Sequence, residues 1–145
     1  MSKRKNDSRN DPAYIREQGQ REIQAKKGRK VSFSISMHIS TQGQTFKEWD
    51  DLGLAAPLLT RMQFVGQYSV QEAFQNQYIK QYTKVDWPPD SGFTCPKHLP
   101  NKVWSVMHVT NHSKEVVVGF IEDDIFFVVF LDKDHVFWPS PKKNT

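Results

Sequence analysis

The chain has 145 residues, of which 20 are Lys or Arg and 16 are Asp or Glu, a net charge of +4. A single cysteine, Cys95, excludes a disulfide framework and a zinc site built on several cysteines. Aromatics at 12% beside a mean hydropathy of −0.66 point to a compact core carrying polar extensions.

The charge is unevenly placed. Residues 1–30 hold ten basic and four acidic side chains, a net +6, and the remainder of the chain is net −2. The first 30 residues read as a basic arm, flexible or helical. Asp11-Pro12 is a helix start, with Asp as cap and Pro at the first helical position. A polar helix from Ala13 to Lys27 ending at Gly28 follows from it. Lys26, Lys27, Arg29 and Lys30 are its candidate RNA contacts, since clustered cations neutralise phosphates. The other reading of the arm is a solvated extension. Its Met-Ser-Lys-Arg-Lys start lacks the apolar segment of a secretory signal. No apolar run approaches the ~18 residues of a membrane span. The expected setting is cytoplasmic, with no membrane partner.

Residues 31–139 read as one α+β domain, and 140–145 as a basic tail with Lys142 and Lys143. From Val31 to Ser40, Phe33, Ile35, Met37 and Ile39 alternate with serines and His38, the period of a half-buried strand. Thr45 and Glu48 form a capping box that opens a short helix through Trp49 to about Gly53. Pro57 opens a second helix, which Gly66 ends. Ser69 and Glu72 form a second capping box, whose helix carries an apolar stripe of Val70, Phe74, Tyr78 and Tyr82.

Residues 83–102 are a long loop punctuated by Pro88, Pro89, Pro96 and Pro100, which Trp87, Phe93 and Leu99 pin to the core. Three strands follow: Val103–Thr110, Glu115–Ile121 and Ile125–Leu131. The last is apolar on both faces, as a central strand covered on both sides would be. The fold expected is therefore α+β, with an N-terminal strand, two or three helices, then a three-stranded antiparallel meander, the helices packed on one face of the sheet.

No phosphate loop of the Walker type, His-Glu-x-x-His or Gly-x-Ser-x-Gly occurs. Cys95 with His98 lacks further metal ligands nearby, and His108 and His112 on a strand and its turn point apart. Neither pair is taken as a metal site, and no cofactor is expected. The cluster that stands out is Asp132, Lys133, Asp134, His135 and Trp138, directly after the apolar strand. An imidazole there can move a proton near neutral pH. Asp134 or Asp132 can orient it, Lys133 can face a phosphate, and Trp138 can stack on a base. The same residues also describe a polar turn followed by an aromatic anchor.

The ending Phe-Leu-Asp-Lys-Asp-His-Val-Phe-Trp, with this element order, resembles the RelE/ParE-like toxin superfamily. In several members of that bacterial family a late strand is followed by a His, with an aromatic a few residues on. The resemblance implies helices on an antiparallel sheet and a metal-independent endoribonuclease acting on mRNA at the ribosome. It also implies an antitoxin as protein partner. His135, Lys133 and Asp134 would be catalytic, and Trp138 would bind RNA. The chain departs from the family in offering only Lys102, Lys114 and Lys133 on the meander. The alternative reading is a non-enzymatic module that binds nucleic acid or protein through its basic arm.

Overall fold

The computed structural model describes residues 11–16, 28–82, 87–111 and 113–139. Helix α1 spans residues 12–16 and is capped by Asp11, whose Oδ1 accepts from the Ala13 amide at 2.9 Å. The rest of the expected arm helix, with Lys26 and Lys27, lies outside the described residues, as does the tail from 140 onward.

Strand β1 (Ser32–Ser34) leads to helices α2 (Phe46–Asp51), α3 (Ala55–Val65) and α4 (Val70–Gln75). Strands β2 (Lys80–Gln81), β3 (Trp104–His108), β4 (Val116–Glu122) and β5 (Ile125–Asp132) follow. Both capping boxes form, Thr45 with Glu48 on α2 and Ser69 with Glu72 on α4.

The expected three-stranded antiparallel meander is corrected to a five-stranded mixed sheet of order β1-β5-β4-β3-β2. β1 runs parallel to β5, with Phe33 opposite Phe126. β2 adds two residues antiparallel to β3, and β3, β4 and β5 are antiparallel neighbours. Two features hid this arrangement. β2 is too short to show a period of two. β1 is shorter than its alternating pattern, because the Ser34 hydroxyl accepts from the Ser36 amide and turns the chain out of the ladder. Ile35 and Met37 are consequently left in solvent, although the alternation marks them as core.

The helices do cover one face of the sheet. Trp49, Leu58, Val65 and Ala73 pack there on Met107, Val117, Phe126, Val128 and Leu131. The opposite face is equally dry, covered by the proline-rich loop and the C-terminal segment. Phe93, Leu99 and Phe137 pack there on Trp104, Val118 and Phe130. Trp87 fastens this loop by donating its indole N–H to the Phe93 carbonyl at 2.8 Å and by edge contacts with Trp104 and Phe137.

The stripe expected on the third helix also breaks. α4 stops at Asn76, and Gln77 takes a left-handed φ of 59°. Tyr82 then lies beyond β2, edge-on to Trp138 at 5.0 Å. Among the described residues, no helix is long and apolar enough to cross a membrane.

Candidate functional site: a histidine pair at one end of the sheet

His108, Val116 and Asp132 form one row across β3, β4 and β5. A register shift at Val118/Gly119 decides which way that row faces. It marks a β-bulge in β5, and Val129 and Phe130 both join the cluster on the loop-covered face. Alternation then resumes with Leu131 on the helix side, so Asp132 falls on the same face as His108.

Asp132 is 1% exposed and holds the chain that follows it. Its two carboxylate oxygens accept from the Val136 amide at 3.0 Å and the Phe137 amide at 2.8 Å. The Lys133 amide donates to Gln44 Oε1 at 2.8 Å, and the Gly92 amide donates to the Val136 carbonyl at 2.7 Å. Gln44 Oε1 also accepts from the Trp49 indole at 2.9 Å, which ties the turn to α2. Between these anchors His135 has a φ of 58°, a left-handed conformation that few side chains adopt and histidine tolerates better than most. The reversed chain brings the His135 ring to 5.3 Å from that of His108.

His108 is half-buried, and its Nδ1 lies 3.0 Å from the Ser113 carbonyl. A carbonyl only accepts, so Nδ1 carries the proton and Nε2 keeps a lone pair. Burial is the main cause that lowers the His108 pKa from its ordinary 6.5. The Ser113 carbonyl opposes this, and His135, Lys80 and Arg61 add to it. His38 is likewise lowered by burial, against its hydrogen bond to the Gln44 carbonyl. Burial pushes the Asp132 carboxyl up, and the two amide hydrogen bonds oppose it.

The residues named from the sequence separate into two groups. Lys133, Asp134, His135 and Trp138 sit together at this end. Asp134 bonds Lys133 at 2.9 Å and faces Lys114 at 3.6 Å; the Lys133 hydrogen bond is the main cause that holds its carboxyl below the usual range. Two lysines thus share one carboxylate beside His135, and the buried Asp132 carboxyl lies on the other side of that ring's charge balance. Trp138 is half-buried against Tyr82. Arg29 and Lys30 lie at the far end of β5, roughly 20 Å along the strand. Arg29 pairs there with Asp123 at 3.2 Å and Asp124 at 3.1 Å, and Lys30 bridges Ser69. The residue of this candidate site that the sequence pattern did not single out is His108. Its face was legible from the alternation of β3, but its partner is 27 residues away, and only the bulge and the left-handed turn bring the two together.

Among the described residues, no group of three or more His, Cys, Asp or Glu is placed to hold a metal ion. Comparison with protein-family models, curated proteins and solved structures returned no match.

Two stability predictions arise here. Asp132→Ala leaves the Val136 and Phe137 amides without an acceptor, and urea unfolding is expected to show a loss of about 2–4 kcal/mol. A loss under about 1 kcal/mol would contradict this anchoring role. The second concerns pH. The unfolded chain takes up protons at its histidines below about 6.5, while folded His38 and His108 resist them, so stability falls as the pH drops through that value toward their folded pKa. Asp132 works in the opposite sense, costing stability as the pH rises from 3.8 through its raised value. The melting temperature is therefore expected to fall between about pH 7.5 and about pH 5.5, and to fall less in a His38→Gln/His108→Asn variant. An equal fall in both proteins would show that other groups govern it.

Proposed function

We propose that the chain is an endoribonuclease that cleaves RNA by paired imidazole acid–base catalysis, without a metal ion in the chemical step. The observation that supports this reading is the approach of His108 and His135 to 5.3 Å beside the lysines that flank Asp134. His108, neutral and with its Nε2 lone pair free of the Ser113 bond, takes the proton of a ribose 2′-hydroxyl. The 2′-oxygen attacks the adjacent phosphorus, and the bond from phosphorus to the 5′-oxygen breaks. His135 gives a proton to that departing oxygen. The products are a 2′,3′-cyclic phosphate and a 5′-hydroxyl. Lys133 and Lys114 favour the charge that develops on the phosphate. The resemblance to RelE/ParE-like toxins makes mRNA on the ribosome the first substrate to try.

The test is incubation of the purified chain with a labelled oligoribonucleotide, free and on programmed ribosomes, in excess chelator. The reading expects cyclic phosphate ends, and a 2′-deoxy substitution at the cut site should abolish the cut. Intact RNA in both settings would overturn it.

A further inference from the structure

The approach of His108 to His135 has a second chemistry besides proton transfer. Two neighbouring imidazoles chelate a metal ion of the zinc type. Their ring centres are 5.3 Å apart. A tetrahedral ion about 2.0–2.1 Å from one nitrogen of each ring, with each ring centre about 1.1–1.2 Å behind that nitrogen, sets the centres about 5.2 Å apart. The pair therefore stands at chelating distance without movement of either backbone.

The ring nitrogens suit the same role. The Ser113 carbonyl, 3.0 Å away, holds the proton of His108 on Nδ1, the kind of outer bond that orients metal-ligating histidines, and Nε2 keeps its lone pair. Burial also favours the neutral ring that a metal needs. Among the described residues neither ring nitrogen of His135 is hydrogen-bonded, so this ring turns without breaking a bond. Both rings are half-buried and reach solvent. The neighbouring carboxylates are engaged elsewhere, Asp132 with the Val136 and Phe137 amides and Asp134 with Lys133 and Lys114. Hard cations such as Mg²⁺ and Ca²⁺ need oxygen ligands and gain none from these two, whereas imidazole nitrogen suits Zn²⁺.

We propose that His108 and His135 chelate a Zn²⁺ ion, with water completing its shell, and that the bound ion withdraws both imidazoles from proton transfer. With two protein ligands the site is a reversible one, unlike the closed four-ligand sites that hold a fold together. The chelation rests on the geometry of the pair. The block on cleavage rests on the reading of that pair as the RNA-cleaving site.

The test adds zinc chloride to the whole chain and follows the imidazole signals by NMR, with calorimetry for affinity. One ion per chain is expected to move the His108 and His135 signals before those of any other histidine, and magnesium chloride is expected to move neither. His108→Ala and His135→Ala are each expected to weaken zinc binding by more than about tenfold, the least that an outer-shell partner is worth. His98→Ala, which removes the ring near Cys95, should bind as the parent does. The parent's own signals decide the matter should His108→Ala melt early. Zinc that leaves both rings unmoved, that binds either site variant with parental affinity, or that is lost in His98→Ala would overturn the site. Zinc is expected to stop RNA cleavage in proportion to its occupancy of the pair, and undiminished cleavage with the pair filled would overturn the block. Zinc taken up by both rings of a chain that leaves RNA intact without metal would support the site while overturning the catalytic reading and the block with it.

Discussion

His108→Ala and His135→Ala are each expected to slow RNA cleavage by about 10²–10⁴-fold, the usual contribution of a positioned proton-transfer group. His108 donates from Nδ1 to Ser113 across the β3–β4 loop, and His135 is held by the Asp132 turn, so each ring has a separate anchor. Loss of one side chain leaves the other in place, and circular dichroism of both variants should match the parent. The pH dependence separates the roles. The limb that reports the base should lie below the ordinary histidine value, because burial disfavours the charged form of His108. His108→Ala should remove that limb. If either variant retains parental activity, its histidine has no part in the chemistry.

Gly119→Ala is expected to abolish folding, with a loss above about 4 kcal/mol. A Cβ at this position would stand 1.8 Å from the Phe127 carbonyl oxygen and 2.9 Å from Phe126 Cε1. Neither neighbour can withdraw cheaply, because β5 is held between β1 and β4 and Phe126 is fully buried. Relieving the clash means opening the β4–β5 ladder at its bulge, where Gly119 opposes Val128 and Val118 opposes Phe130. That ladder also decides that Asp132 shares a face with His108. A one-residue slip would send Asp132 to the helix side, into an apolar core. Soluble expression and urea unfolding would check this. Cooperative unfolding within about 1 kcal/mol of the parent would show that the strands can part without cost.

The sheet and the site were legible to different depths. Alternation along Trp104–His108 and the unbroken apolar run of Ile125–Leu131 place β3 and β5, because a period of two and two-sided burial are local signals. Thr45–Glu48 and Ser69–Glu72 locate two helix starts for the same reason: the bonds that make a capping box span three residues. Non-local pairing was not legible. Nothing local in Ser32–Ser34 says that it lies parallel to β5, and Lys80–Gln81 extends the sheet only because β3 offers an edge. At the site, His135 drew notice from its place after an apolar strand. Asp132 looked like part of a polar turn, yet it is the buried acceptor on which that turn is built. Arg29 looked like a free cation of the arm, yet it closes on the acidic β4–β5 turn.

The central claim is that the fold makes one coupled unit of two histidines 27 residues apart. An NMR titration of the imidazole signals in the parent and in His135→Ala tests it most directly. In the parent, His108 is expected to titrate below 6.5, held down first by burial and then by its neighbours, His135 among them. Removing His135 should move that titration upward. A His108 that titrates at or above 6.5 in the parent, or that does not shift when His135 is replaced, would contradict the pairing on which the proposed chemistry depends.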